Sequence, residues 1–401
     1  MRILYFHQYF CPPGGSGNNR SFELARTWAQ EGHEVSIVTT PASFPEDQKR
    51  ILLKNSSPAN LEFDGIQVHV LKVDYSHFFG FARRVCSFLK FYRALVKFLK
   101  RRESPDLIYA SSTPPAVGEA ARKYSAKWKV PFWFETVDVW PDVPAGMGII
   151  RNGILLRWLH SRVNRIYRES AGIICLSPGM KQQVMSHGVP DSKIMVSLNG
   201  TNTLAFPHVA RPQRNPVTVL YAGTVGSANG LHHLLGAAKI IREKNSEVRF
   251  RIVGDGNDLS RILRMAIEMK LSNVEFMGMV AKQDVPELFG TADIGIVCFA
   301  NFKVLEANSA NKFYDYHSAG LPVVINYGGW QAEFLREFKT GLSSDRGDDE
   351  DLAKQILSLA GDYQLRQTMG RNGRKVAEEQ FDRRRIAMEL MKKFEEGIRK
   401  S

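Results

Sequence analysis

Lys312 and Asp315 stand three residues apart in the stretch VCFANFKVLEANSANKFYDYHSAGLPVVI, residues 297–325. The stretch reads as strand, loop, helix and strand. That spacing puts both side chains on one helix face, with their roots about 5–6 Å apart. A helix start attracts phosphate through its dipole and its free N–H groups. Ser309 is the expected N-cap, with Ala310 and Asn311 completing the start. Lys312 adds a full positive charge one turn in, and Asp315 can accept hydrogen bonds from vicinal hydroxyls. A diphosphate followed by a ribose diol has that layout. A solvated Lys–Asp ion pair would use the same two residues, and the pair alone does not choose.

Two glycine-rich turns offer backbone to a ligand. CPPGGSGNNRS holds Gly14, Gly15, Ser16 and Gly17, and YAGTVGSANGL holds Gly223, Gly226, Ser227 and Gly230. Glycine allows close backbone approach, and the next helix aims N–H groups at whatever binds. The second turn spells G-x-x-G-x-x-x-G. It is neither the dinucleotide G-x-G-x-x-G nor a Walker loop ending in GK[ST]. Ordinary tight strand-to-helix turns would look similar.

A third candidate is FETVDVWPDVPAGMG, where Glu135 and Asp138 follow the apolar run PFWFE. Carboxylates at a strand's carboxyl end suit a base or a hydroxyl anchor. An aspartate that caps the next turn is the structural alternative for Asp138. His7 ends the first apolar run and Arg20 follows the first glycine turn. Both are candidates for an acceptor, His7 as a hydrogen-bond donor and Arg20 for an anionic group. A lone histidine is more often structural, and Arg20 could equally be a solvated first-turn residue. No Asp-x-Asp stands on a strand end and no histidine cluster is evident, so no metal and no cofactor are expected. Cys11, Cys86, Cys175 and Cys298 are scattered with no CxxC pair. That argues against a zinc site or disulfide framework and fits a reducing cytosol.

The elements that must hold these residues alternate. RILYFH (2–7), EVSIVTT (34–40), GIQVHVL (65–71), DLIYA (106–110), PFWFE (131–135) and GIICL (172–176) lack period-2 patterning, as parallel strands covered on both faces should. Amphipathic segments lie between them. NTLAFPHVARPQRNP (202–216) breaks the pattern as a linker. Then come VTVLYAG (217–223), VRFRIVG (248–254), NVEFMG (273–278), DIGIVCF (293–299) and LPVVI (321–325), followed by about 50 residues of helical pattern. The fold class is therefore α/β, with two Rossmann-like halves over 1–203 and 204–380 and a terminal helix at 381–401.

The chain has 401 residues, 44% hydrophobic and 24% charged, with a formal net charge of +13. That excess suits nucleic acid, an anionic membrane or phosphorylated substrates. The N-terminus is too polar for a signal peptide, and no run of about 20 apolar residues could span a bilayer. Residues 78–102 hold eight Arg or Lys and no acid. Phe81, Val85, Phe88, Tyr92, Leu95 and Leu99 recur at helical spacing there, which predicts an apolar face with a cationic flank of Arg83, Arg84, Lys90, Arg93, Lys97 and Lys100. Part of the helix is expected on a sheet and part against anionic lipid.

Taken in order, these motifs resemble retaining glycosyltransferases of family 4. FETVDVWPD resembles the E-x-x-D-x-W-P block of the bacterial branch that adds N-acetylfucosamine or related sugars to surface polysaccharides. IICLSPGMKQQV, NGTNTLAF, IVGDGND, NKFYDYHSAGLPVV and MGRNGRKVAEEQFD match further landmarks, so the likeness spans nearly the whole chain. The resemblance implies a GT-B fold, whose sheets face each other across a cleft and whose last helix returns to the first domain. It also implies a nucleotide-sugar donor, UDP-sugar favoured, and a saccharide acceptor, often lipid-linked. The protein would sit at the inner face of the cytoplasmic membrane, without a metal. Asp315 occupies the second position of the family's E-x7-E motif, while Ala307 stands at the first and Glu306 one place off. The arginine and lysine that many relatives carry in the second glycine turn are missing, which shifts weight to Gly226 and Ser227 N–H groups and to Lys312. Val280, beside Met279, would lie against the base. A nucleotide-sugar epimerase on the same fold and a basic nucleic-acid-binding protein remain alternatives, though no nucleic-acid motif is present.

Overall fold

A strand that is apolar at every position must be covered on both faces. The computed structural model describes residues 1–15, 17–55, 58–76, 78–206, 211–244 and 247–399, without the side chains of Phe81 and Lys282. It divides into two units, Met1–Leu198 with Arg383–Ser401, and Asn199–Asp382.

The first unit holds β1 (Arg2–Phe6), β2 (Glu34–Thr39), β3 (Ala59–Phe63), β4 (Ile66–Val70), β5 (Leu107–Ser111), β6 (Phe132–Thr136), β7 (Gly172–Cys175) and β8 (Ile194–Val196). They form one sheet in the order β3-β4-β2-β1-β5-β6-β7-β8. Every neighbouring pair is parallel except β3–β4, an antiparallel hairpin at the edge. Every residue of β5, β6 and β7 is buried. β3, whose ANLEF alternates, was not among the expected strands. Its signal was the turn dipeptide Asp64-Gly65, which takes φ of 48° and 80° between two short strands.

The second unit holds β9 (Val217–Ala222), β10 (Val248–Val253), β11 (Val274–Gly278), β12 (Ile294–Val297), β13 (Val323–Ile325) and β14 (Gly341–Ser343). The order is β11-β10-β9-β12-β13-β14, and all pairs are parallel. The three-residue edge strands β8 and β14 are too short to show a period. Tyr221, Leu234, Leu235, Ile252, Ile296 and Ile356 lie in this unit's core. Arg211, in the segment read as a linker, is buried and donates to the carbonyls of Phe289, Ala292, Ala319 and Gly320.

The helix Arg383–Arg399 packs in the first unit. Trp28 Nε1 donates to Ala387 O at 2.8 Å, and the Phe394 ring packs edge-on or tilted against Trp28, Tyr109 and Trp133 with ring centroids 5.2–5.7 Å apart.

The basic stripe forms the helix Phe81–Leu99, but the buried face differs from the expected one. Ser87, Phe91, Leu95, Phe98 and Leu99 are buried, whereas Val85, Phe88 and Tyr92 are only partly covered. Phe91, Leu95 and Phe98 recur at spacings of four and three and turn the helix inward on that line. Arg83, Lys90, Arg93, Lys97 and Lys100 stay exposed, with Leu89 49% exposed among them. Arg84 is partly buried and donates to Phe79 O. No helix among the described residues is long and apolar enough to cross a membrane.

Candidate functional site

The residue after β9 is a glycine, and a lysine lies against its backbone. Gly223 has φ +148°, and a Cβ on it would stand 2.8 Å from Lys312 Cε and 3.0 Å from Nζ. Lys312 Nζ lies 3.9 Å from the centre of the Tyr221 ring. Among the described residues no carboxylate forms an ion pair with it, and burial lowers its amine from 10.5 to about 7. A partly buried ammonium without a counterion, beside open backbone, is suited to an anion.

Lys312 is the second residue of the helix Asn311–Ser318. The N-cap of that helix is Ala310, with no side-chain cap bond. This corrects the expectation for Ser309, whose hydroxyl instead shares a 2.6 Å hydrogen bond with Tyr314 OH. With no cap, the helix's leading N–H groups are left for an incoming acceptor. Asn311 Oδ1 is buried without a partner at the same start. Asp315 accepts a 2.7 Å hydrogen bond from Thr201 Oγ1, so it does not pair with Lys312.

The second glycine turn continues this surface. Gly226 leads into the 3₁₀ turn Ser227–Asn229, and Gly230 follows with φ +58°. A Cβ on Gly230 would stand 2.5 Å from Ala300 N, and Ala300 N–H donates to Ala228 O at 2.9 Å. The turn therefore rests on the loop after β12. Ser227 is exposed. That loop contains the 3₁₀ turn Lys303–Ala307, where Glu306 lies 3.5 Å from Arg346 Nε and 4.0 Å from Lys303 Nζ. Gly328 faces the Glu306 carboxylate, and a Cβ on Gly329 would stand 2.9 Å from Glu306 O. Arg346, Gly328 and Gly329 were not singled out in sequence, although a glycine pair after an apolar strand was a readable signal. Val280, just beyond β11, is partly buried and Met279 is 68% exposed.

In the first unit, a Cβ on Gly15 would stand 2.4 Å from Ser43 O, so this turn also depends on glycine. Ser16 lies outside the described residues. His7 Nδ1 is 2.8 Å from Ser21 Oγ, and burial lowers its imidazole to about 4, so the ring is neutral near pH 7.

Glu135 and Arg20 require a correction, because neither is presented to a ligand. Glu135 is 1% exposed and Arg20 is 3% exposed. Arg20 Nε donates to Glu135 Oε1 at 3.0 Å, while Tyr109 OH and Ser111 Oγ donate to the same carboxylate. The other guanidinium nitrogens donate to Leu198 O and Ser197 Oγ. A buried charge persists only when paired and hydrogen-bonded. Both groups are spent tying β6, β5 and the helix Arg20–Gln30 to the segment after β8. Asp138, three residues on, has a different setting. It is partly buried, its hydrogen bond from Thr113 Oγ1 is long at 3.4 Å, and burial raises its carboxyl above the ordinary value.

The expectation of no histidine cluster is also corrected. Asp142, His160 and His187 meet in the first unit, their donor atoms all within 4.8 Å of one another.

Comparison with known proteins assigns a family to each half of the chain. Residues 15–200 match the family "Glycosyl transferase 4-like domain", and residues 206–376 match "Glycosyl transferases group 1". Spore coat protein SA of Bacillus subtilis is 26% identical over 187 residues, covering 45% of this chain and 48% of its own. The chain thus spans about half the length of that relative. The putative colanic acid biosynthesis glycosyl transferase WcaI of Escherichia coli is 27% identical over 325 residues, covering 74% of this chain and 76% of that protein. Among solved structures, sucrose-phosphate synthase of Thermosynechococcus elongatus superposes with a TM-score of 0.79 at 17% identity, covering 100% of this chain and 99% of the other. Anabaena HepE in complex with UDP and glucose gives a TM-score of 0.71 at 18% identity over 98% and 99% of the two chains. At such identities the likeness establishes the fold, which is that of the GT-B transferases.

Proposed function

Given a chain built of a glycosyl transferase 4-like domain followed by a group 1 glycosyl transferase domain, we propose that it transfers a sugar from a nucleotide-diphosphate donor to a saccharide acceptor in surface-polysaccharide synthesis. The observation that carries this reading is Lys312, a lysine with no ion pair among the described residues, which lies on Gly223 at an uncapped helix start. The second domain, read over 204–380, holds the donor and the first, read over 1–203, the acceptor. UDP is the favoured nucleotide, in keeping with its presence in HepE. The name of WcaI, a putative colanic acid biosynthesis glycosyl transferase, supports a surface-polysaccharide acceptor. Within that group, FETVDVWPD favours N-acetylfucosamine or a related sugar.

In the proposed reaction the anomeric carbon–oxygen bond to the diphosphate breaks and a bond to the acceptor oxygen forms on the same face, so configuration is retained. Negative charge grows on the leaving phosphate, where Lys312 and the helix-start N–H groups meet it. Lys312, charged once the diphosphate is bound, and the helix-start N–H groups do the work that a divalent metal does in other enzymes, so the transfer is proposed to be metal-independent. A departing phosphate oxygen takes the acceptor's proton. Asp315 holds the ribose diol, Val280 lies against the base, and Glu306 is directed to the donor sugar. Asp138 and the neutral His7 bind acceptor hydroxyls.

The acceptor is proposed to be lipid-linked, with the enzyme held at the cytoplasmic membrane face by the exposed cations of Phe81–Leu99. Each such residue near an anionic surface contributes about 1 kcal/mol.

Thermal unfolding with UDP, GDP, dTDP and ADP tests the reading. UDP at 100 times its dissociation constant should stabilise by about 2.7 kcal/mol, and Asp315→Ala should weaken UDP binding by about 1.5–3 kcal/mol. No shift with any nucleotide would sink it.

A further inference from the structure

Asp142 opens the helix Asp142–Gly146, His160 lies in the helix Gly153–Glu169, and His187 follows the helix Pro178–Ser186. Three elements of the first unit therefore aim one carboxylate and two imidazoles at one point. His187 Nε2 lies 2.6 Å from Asp142 Oδ2, and His160 Nε2 lies 3.8 Å from Asp142 Oδ1. The two rings have centroids 5.1 Å apart. On its other side His187 Nδ1 lies 3.0 Å from Asn164 Oδ1, and Asn164 stands one turn beyond His160 on the same helix.

That second contact decides what His187 can do. If Nδ1–H donates to the amide oxygen, a neutral His187 turns a bare Nε2 lone pair toward a carboxylate oxygen. Two lone pairs at that distance repel unless a cation or proton lies between them. An outer nitrogen held by an amide oxygen and an inner nitrogen left bare is the arrangement of a metal-bound histidine.

We propose that Asp142, His160 and His187 form a binding site for a divalent transition-metal ion of the zinc class. Two imidazoles and one carboxylate suit such ions, whereas magnesium and calcium take oxygen donors. Bonds of about 2.0–2.2 Å in a tetrahedral site place donors about 3.3–3.6 Å apart. The observed separations, 2.6 Å from His187 Nε2 to Asp142 Oδ2 and 3.8 Å from His160 Nε2 to Asp142 Oδ1, fall on either side of that spacing, each to a different carboxylate oxygen. The side chains of Asp142 and His160 are 28% and 33% exposed, which gives an ion a path in and leaves room for water as the fourth ligand. An ion here would pin the segment after Asp138 to two helices. The site belongs to the first unit and does not depend on the Lys312 surface.

Zinc titration of the full chain after EDTA dialysis, followed by calorimetry, tests this. One ion should bind per chain and raise Tm, magnesium and calcium should do neither, and cobalt(II) should give visible absorption bands of a tetrahedral site. His160→Ala and His187→Ala should each abolish stoichiometric binding, and Asn164→Ala should weaken it by about 10–100-fold. Circular dichroism of the EDTA-treated variants separates loss of a ligand from loss of fold. His232→Ala, in the second unit, should leave binding unchanged. Failure of zinc to bind, or unchanged binding in folded His160→Ala and His187→Ala, overturns the proposal. The cluster is then a hydrogen-bonded Asp142–His187 pair with a neighbouring ring.

Discussion

Lys312 lies on the backbone of Gly223: a Cβ at that glycine would stand 2.8 Å from Lys312 Cε. The lysine's position and the glycine's identity are thus one feature. Gly223→Ala should displace the ammonium and strain a backbone at φ +148°, with a stability cost of about 1–3 kcal/mol. UDP affinity measured by calorimetry should fall in the folded variant. Unchanged affinity would mean that the lysine does not meet the ligand.

Burial puts the Lys312 amine near 7, below its ordinary 10.5. A bound diphosphate favours the charged form and raises that value. Binding at pH 8 should therefore take up close to one proton, and at pH 6 almost none. Calorimetry of UDP binding in buffers of different ionisation enthalpy reads this directly, and affinity should decline as pH rises above 7. The folded value lies below the unfolded one, so the unfolded chain binds more protons between about pH 7 and 10.4. This group's contribution to stability therefore rises with pH across that window, and Lys312→Met should remove it. Proton uptake that is the same at pH 6 and pH 8 would contradict the assignment.

Glu135 and Asp138 are three residues apart and should behave in opposite ways. Breaking the buried Arg20–Glu135 pair leaves a charge uncompensated, at a cost of about 3–5 kcal/mol. Arg20→Ala should show that loss in denaturant unfolding. Asp138→Asn should keep its stability and UDP affinity while sugar transfer falls at least tenfold. Near-normal transfer in Asp138→Asn would make Asp138 a structural residue.

The exposed cations of Phe81–Leu99 and the adjoining Lys100 should bring the protein down with anionic vesicles at low salt. The Debye length falls from about 10 Å at 0.1 M to about 3 Å at 1 M, so high salt should release it. Glutamine at Arg83, Lys90, Arg93, Lys97 and Lys100 should abolish the preference for anionic over neutral vesicles. Equal recovery in the supernatant with both lipids, at every salt concentration, would leave the helix as an ordinary solvated element.

The core strands, the two glycine turns and the Lys312–Asp315 helix were readable in the chain because each follows from local rules. Unbroken apolar runs need two covered faces, and three-residue spacing puts side chains on one helical face. The edge strands β8 and β14 were missed because three residues are too few to show a period, whereas β3 (ANLEF) does alternate and is marked by the turn Asp64-Gly65 that follows it. Tertiary structure alone decided what each charged side chain meets. Arg20 and Glu135 are 115 residues apart and close on each other. Lys312 lies against a glycine 89 positions earlier, since 312 − 223 = 89. Asp142, His160 and His187 converge from three helical segments. A charged residue's role depends on whether folding gives it a partner or leaves it none, and such partners come from distant sequence that no local pattern encodes.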